Sequence, residues 1–218
     1  MLTNCTLYLM ADGGDFIVFW DSVAGVYDVF VNVINGKTHK ALRGIVADCI
    51  DPEDTVLECA CGTGLLSTAI AEKCRHLTAT DFAPKMLQRA KKNCAAFDNV
   101  SFRQADILSL NFPDSTFDKV VAGNVIHLLD EPMKALNELD RVCKPGGMLI
   151  IPTYMNKTQK GETSGFASVV GKAGADFKRQ FTVESYKQFF LETGYDDVKI
   201  SLADGRIPCA VAVMTKKN

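Results

Sequence analysis

The sequence lacks the features of a membrane or secreted protein. No apolar run approaches the roughly 20 residues that a helix needs to span a bilayer. No basic leader followed by an apolar core opens the chain. We therefore expect no membrane span and a cytoplasmic location.

An excess of charge of one sign is also missing. The 24 basic and 26 acidic side chains give a net charge of −2, which provides no general attraction for nucleic acid. Lys37, His39, Lys40 and Arg43 form a local basic cluster, which we interpret as the solvated face of a helix. No nucleic-acid partner is expected, and the composition favours no particular oligomeric state.

The eight cysteines include no C-x-x-C pair. Cys59 and Cys61 are two positions apart, so they would point to opposite faces of a continuing strand, which argues against a metal pair. In a reducing compartment buried cysteines act as small hydrophobic residues. We therefore expect no metal site and a core that contains thiols.

The 218 residues are enough for one α/β domain. Two amino-terminal helices are predicted, the first ending at Asn35-Gly36 and the second stopping before Pro52. From residue 55 to residue 151, apolar strands alternate with amphipathic helices. This alternation is typical of a doubly wound, mostly parallel sheet.

The remaining segments are predicted to cover or complete that sheet. Residues 153–181 are rich in glycine and polar residues and are expected to form a lid or substrate wall. A helix near residues 182–193 is followed by two strands that form a hairpin around Asp204-Gly205. We predict a single domain over residues 1–218, in which residues 1–50 form an arm and a helical cap.

The most informative stretch is residues 55–67. An apolar strand ends at Glu58 and enters a turn of small residues, Ala60, Gly62 and Gly64, before a helix that is predicted to open at Leu65. Small side chains let a ligand approach the backbone, and the amino end of a helix offers N–H groups. An acid beside such a turn favours a ligand that carries hydroxyl or ammonium groups. The pattern predicts a nucleoside-type site at the carboxyl end of the first strand.

Two other phosphate-binding motifs fit this turn poorly. The dinucleotide fingerprint G-x-G-x-x-G requires a third glycine, and Ser67 stands in its place. No lysine follows the turn, so it is not a P-loop. A glycine-rich turn without any ligand remains an alternative interpretation.

The spacing Glu58-x-Ala60-x-Gly62-x-Gly64 resembles motif I of the class I S-adenosylmethionine-dependent methyltransferases, with Ala60 in place of the usual first glycine. Acidic or amide residues after the next strands and the turn Lys144–Gly147 follow in the order of that family. The resemblance implies a Rossmann-like fold of seven strands, of which the last is antiparallel. The pattern from Trp20 to Asp28 is similar to the start of the ubiquinone and menaquinone C-methylating group.

The resemblance also implies which residues bind S-adenosylmethionine and its product S-adenosylhomocysteine. Asp81 would accept hydrogen bonds from the ribose hydroxyls, Asp106 would bind the adenine amino group, and Asn124 would lie near the sulfonium. The turn, the adenine pocket and an aromatic residue of the amino-terminal cap complete the expected cofactor site: Tyr27, Glu58, Ala60, Cys61, Gly62, Gly64, Phe82, Met86 and Ile107.

His127 is the one histidine that the sequence places near this site, and it is the candidate general base. The implied function is methyl transfer to a small-molecule acceptor, in which orientation of the reactants is the main task of the protein. Two alternatives stay open: a protein that binds S-adenosylmethionine without catalysis, and a nicotinamide-dependent oxidoreductase on a similar sheet.

Overall fold

The computed structural model describes residues 35–155 and 178–217. Seven strands form one sheet in the order β3-β2-β1-β4-β5-β7-β6. Strands β1 to β5 are parallel, and β7 lies between β5 and β6 and runs antiparallel to both. The predicted fold class is therefore confirmed. The strands are Thr55–Cys59, His76–Asp81, Val100–Gln104, Phe117–Ala122, Cys143–Tyr154, Lys199–Ala203 and Cys209–Thr215, numbered β1 to β7.

Helices cover both faces of the sheet. Residues 35–47 are helical and are called α1; the following helices, α2 to α5, are Ser67–Ala71, Pro84–Asn93, Pro132–Val142 and Val183–Glu192. One buried cluster joins the sheet to α4 and α5, and a second joins the opposite face to α1, α2 and α3. A short 3-10 turn, Ile126–Leu128, follows β4.

Strand order determines where a ligand can bind. The chain leaves β1 towards β2 on one side, whereas β4 lies on the other side of β1. Connections that diverge in this way open a crevice outside the carboxyl ends of the two strands, the usual ligand position in open α/β sheets. We use "the crevice" for the space above the carboxyl ends of β1, β2, β4 and β5.

The predicted end of a helix at Asn35-Gly36 is wrong, because both residues are helical. Tertiary contacts explain the difference. The Asn35 side chain is buried, donates to the Ile207 carbonyl oxygen (2.9 Å) and accepts from the Ile207 N–H (3.1 Å). This pair of bonds attaches α1 to the connection between β6 and β7, a long-range contact that local turn signals do not reveal.

The turn predicted at Lys144–Gly147 lies inside β5 as an irregularity. Phe117 is opposite Cys143, but Lys119 is opposite Met148, so β5 contains extra residues at this point. Gly146 has a φ of +75°, and a Cβ on Gly147 would lie 2.6 Å from the Asp118 carbonyl oxygen. The two glycines are therefore needed for the bulge, and the strand continues on both sides of it.

Some predicted segments lie outside the described residues. These are the amino-terminal arm, the first predicted helix and most of the predicted lid. Within the described ranges, none of the helices is long and apolar enough to cross a membrane. The cytoplasmic location stays a prediction.

Candidate functional site

The turn after β1 is held to β2 by its backbone. The Cys61 N–H donates to the Thr80 carbonyl oxygen (2.9 Å), and the Gly64 N–H donates to the Cys61 carbonyl oxygen (2.9 Å). Ala60, Gly62 and Gly64 all have positive φ values, +52°, +56° and +90°. Such values suit glycine but cost an alanine about 1 kcal/mol. The tight turn delays the helix, and α2 begins at Ser67 rather than at Leu65.

The two glycines of this turn serve different purposes. A Cβ on Gly64 would lie 3.3 Å from the Ala90 Cα and 3.4 Å from the Cys94 Sγ, so this glycine permits close packing against α3. A Cβ on Gly62 would meet nothing within 4 Å. The backbone at Gly62 therefore borders open space, as a ligand-contacting turn requires.

Asp81, the last residue of β2, points its carboxylate at this turn. Its Oδ2 accepts from the Gly62 N–H (2.8 Å), and its Oδ1 accepts from the Ala83 N–H (2.9 Å). The residue is only 9% exposed. Each carboxylate oxygen can accept more than one bond, so a carboxylate oriented in this way can also receive the hydroxyls of a ribose.

Glu58, at the end of β1, is buried and accepts a hydrogen bond from the Ser67 hydroxyl (2.5 Å). Burial raises the pKa of Glu58 to about 8, with a smaller upward effect from the charge of Asp81. Sequence reasoning used Ser67 only to exclude a dinucleotide motif and missed this bond. The sequence signal for this bond was a serine in the first turn of a helix, just after a strand that ends with an acidic residue.

The expected adenine pocket lies along the β2 and β3 ends. Phe82 is half-buried, and Met86 and Ile107 are buried. Asp106 is half-buried, and its Oδ1 accepts from the Leu108 N–H (2.9 Å), which orients the carboxylate after β3. The neighbouring Ala105 N–H donates to the Asp81 carbonyl oxygen (3.2 Å), so the connections after both strands are tied together.

Asn124 lies directly beyond β4, the strand that pairs with β1 on the side away from β2. Its φ is +54°, and its N–H donates to the Pro152 carbonyl oxygen (2.8 Å). The Cys209 thiol is 3.7 Å from the Asn124 Oδ1 and donates to it. The amide is thus oriented by a residue of β7, in a backbone conformation that functional sites often stabilise.

His127 lies in the 3-10 turn after Asn124 and is only 4% exposed. Burial lowers its pKa to about 4, so the imidazole is neutral at physiological pH. A group with so low a pKa is a weak general base at that pH. Its catalytic role stays a prediction, as does that of Tyr27, which is outside the described residues.

A second histidine, which sequence reasoning placed on a solvated face, is buried and contacts the residue that ends β5. His39 on α1 is only 2% exposed, and its Nε2 is 2.8 Å from the hydroxyl of Tyr154, the last residue of β5. Burial lowers the pKa of His39 to about 4. The expectation that His39 lies on a solvated helix face is therefore wrong, whereas the expectation that His127 is the one histidine near the site stays a prediction. The missed signal was the position of His39 on the same side of α1 as Leu42 and Val46, which are buried against the sheet.

The residues present suit an adenosyl ligand. Asp81 offers carboxylate oxygens beside an open Gly62, and Asp106 offers another carboxylate one strand further along the sheet. Over the two described ranges, no cluster of three histidine, cysteine, aspartate or glutamate side chains could hold a metal ion. The geometry can therefore bind a sugar and a base and present a third group of the ligand towards β4.

Comparisons with known proteins agree with this geometry. Residues 57–151 match the family described as "Methyltransferase domain". The demethylmenaquinone methyltransferase of Clavibacter sepedonicus is 33% identical over 140 residues, which cover 63% of this chain and 57% of that protein. The protein of the same name from Staphylococcus aureus strain JH9 is 26% identical over 211 residues, covering 86% and 88%.

A solved structure of a DhpI–SAH complex matches with a TM-score of 0.70 and 18% identity, over 90% of this chain and 93% of that one. At this identity the likeness concerns the fold alone. The chain spans little more than half the length of the Clavibacter relative.

Proposed function

We propose that this chain transfers a methyl group from S-adenosylmethionine to a small-molecule acceptor, because residues 57–151 match the family described as "Methyltransferase domain". The observation that carries the proposal is the Asp81 carboxylate, which is fixed by the Gly62 and Ala83 N–H groups beside open space at the β1/β4 crevice. The SAH bound to a protein of the same fold supports the choice of cofactor.

The residues of this chain would hold and orient the cofactor. Asp81 would bind the ribose hydroxyls, and Asp106, with Phe82 and Ile107, would bind the adenine. The open backbone at Gly62 would allow the methionine part to pass towards Asn124. When bound, the sulfonium supplies both an electrophilic methyl group and a good leaving group. The protein contributes alignment and exclusion of water, which can be worth about 7 kcal/mol or more of the barrier.

For the acceptor we take a reduced demethylmenaquinone as the first compound to test, since curated relatives carry that name. Transfer to a ring carbon forms a carbon–carbon bond, breaks the sulfur–methyl bond and releases the ring proton. The ring must act as a nucleophile, so its electron-rich hydroquinone form is required. The oxidised quinone is the matched negative control.

The test combines binding with turnover. Calorimetry should show that the protein binds S-adenosylmethionine and S-adenosylhomocysteine. Labelled methyl transfer to demethylmenaquinol under argon should then give a product one methyl group heavier by mass spectrometry. Binding without transfer to this compound or to a cell extract would favour the non-catalytic alternative. Absence of binding by either ligand would reject the proposal, and fluorescence titration with NADH would then test an oxidoreductase.

A further inference from the structure

Two pairs of neutral polar groups lie along the β4, β5 and β7 ends of the crevice. Tyr154 ends β5 directly opposite Cys209, the first residue of β7. The Cys209 thiol contacts the Asn124 Oδ1 (3.7 Å), and the Tyr154 hydroxyl contacts the His39 Nε2 (2.8 Å). Two polar pairs therefore lie at neighbouring positions at this end of the sheet, and only Asn124 among their four residues belongs to the expected cofactor site.

The position of these pairs suits an acceptor site. The carboxylates expected to bind the adenosyl group follow β2 and β3, on one side of β1. An in-line displacement needs the acceptor on the opposite side of the methyl group from its leaving group. If the sulfonium lies near Asn124, as the resemblance implies, the neighbouring strand on the side away from β2 and β3 is β5, since the Asn124 N–H bonds Pro152, two residues before Tyr154.

The chemistry of Tyr154 suits a hydroxyl-bearing ligand. A phenol has one donor and two acceptor positions, so the bond to the His39 imidazole does not by itself use the full hydrogen-bonding capacity of the Tyr154 hydroxyl. His39 is held in α1, whose Leu42 and Val46 are fully buried against the sheet. The imidazole therefore fixes the direction of the Tyr154 hydroxyl from a rigid element.

We propose that Tyr154 binds a hydroxyl group of the methyl acceptor and selects hydroxyl-bearing rings, with His39 as the positioning residue. This inference rests on the proposed methyltransferase function. It adds a specificity residue on β5 and a positioning residue on α1 to the expected cofactor residues.

The experiment compares two aromatic probes of similar shape. The protein saturated with S-adenosylhomocysteine is titrated under argon with 1,4-dihydroxynaphthalene and with 1,4-dimethoxynaphthalene, which has no hydroxyl hydrogens. The wild type should prefer the diol, and Tyr154→Phe should lose about tenfold in diol affinity, as expected for one hydrogen bond. The affinity for S-adenosylhomocysteine should not change.

Two further variants separate recognition from packing. Tyr195→Phe is the matched control, because its hydroxyl bonds Asp140 (2.8 Å) on α4, away from the crevice, and it should keep the preference for the diol. His39→Leu should weaken the preference, and His39→Gln, which can still bond the Tyr154 hydroxyl, should recover part of it. Thermal melting of each variant reports any loss of folding.

The outcomes distinguish the two proposals. A wild type that binds S-adenosylhomocysteine but treats both naphthalenes alike, or binds neither, overturns this inference alone. So does a Tyr154→Phe variant that remains folded and keeps the wild-type preference. A wild type that binds neither S-adenosylmethionine nor S-adenosylhomocysteine overturns the proposed function, and this inference with it.

Discussion

Acidic residues at the two ends of the central strands differ in whether they form ion pairs. At the amino end, Asp118 accepts from Lys144 (2.7 Å) and from the Thr55 N–H (2.9 Å), and Lys119 is paired with Asp51 (3.5 Å) and Asp54 (3.7 Å). At the carboxyl end, Glu58 is buried with a serine hydroxyl and forms no ion pair within the described part of the chain.

The pKa shifts follow this difference. Hydrogen bonds from Lys144 and Thr55 outweigh partial burial and lower the pKa of Asp118 to about 2, whereas burial raises the pKa of Glu58 to about 8. Charges at the amino end therefore stabilise the folded chain, while the ionised form of Glu58 opposes folding. Perturbed acids beside a crevice are common at functional sites. The contrast suggests that one edge of the sheet serves stability and the other serves the ligand.

Glu58→Gln should have the largest effect. Because the pKa of Glu58 is raised in the folded state, its contribution to stability is complete below pH 4.5 and is lost as the pH rises towards 8. Glutamine does not titrate and can still accept from Ser67. Between pH 5 and pH 8, the free energy of unfolding of the variant should therefore rise above that of the wild type, by up to about 4 kcal/mol. Urea unfolding at several pH values measures this gain.

Glu138→Gln is the control for that measurement, since the Arg141 guanidinium lowers the pKa of Glu138. The contribution of Glu138 is present above pH 4.5 and is lost as the pH falls, so this variant should be less stable than the wild type at neutral pH. If the free energy of unfolding depended on pH in the same way in the wild type and in Glu58→Gln, the ionisation of Glu58 would not destabilise the folded chain.

Asp81→Asn should have the next largest effect, on binding rather than on folding. The substitution removes the charge that strengthens hydrogen bonds to ribose hydroxyls, and a loss of about 100-fold in S-adenosylhomocysteine affinity is expected. Calorimetry measures it. Affinity within threefold of the wild type would remove Asp81 from the proposed site.

Asp118→Asn tests the amino end in the same assays. It replaces a carboxylate that bonds Lys144 and Thr55, and after allowance for partial exposure the loss of stability at pH 7 is expected to be about 1 kcal/mol. The difference from the wild type should shrink as the pH falls from about 4 towards 2, because the lowered pKa makes this contribution disappear there. Affinity for S-adenosylhomocysteine should be unchanged. A clear loss of affinity would contradict the assignment of the amino end of the strands to stability and of the carboxyl end to ligand binding.

The sequence predicted the positions of the strands better than the side-chain hydrogen bonds at their carboxyl ends. Strand ends such as Glu58 and Asp81 were found because period and apolar runs mark where a strand stops. The His39–Tyr154 bond was missed, since residues 115 positions apart meet only through tertiary packing. The Ser67–Glu58 bond spans only nine positions and was missed because it depends on the geometry of the turn between β1 and α2. Helix α1 shows the same limit: local turn residues at Asn35-Gly36 indicated an end, and a distant contact with Ile207 prevails.

The smallest effect is expected from removing backbone strain. The same change, replacement of a left-handed residue by glycine, can be made at the carboxyl end and at the amino end of the central strands. Ala60 and Ser115 both have a φ of +52°, the first beside the crevice and the second just before β4, at the amino end. Glycine removes a left-handed cost of about 1 kcal/mol but makes the unfolded chain more flexible. Both Ala60→Gly and Ser115→Gly should therefore gain a net stability of at most about 0.5 kcal/mol in urea unfolding.

Binding should separate the same two variants. Removing the Ala60 methyl group introduces the glycine that is usual at this place in the motif that the sequence resembles, and it lets the ligand approach the turn more closely. Affinity for S-adenosylhomocysteine should rise about threefold in Ala60→Gly and stay constant in Ser115→Gly, where the N–H bonds the Arg141 carbonyl oxygen (2.9 Å) far from the crevice. If both variants gained stability but neither changed affinity, the strain at Ala60 would be a feature of the fold and not of the ligand site.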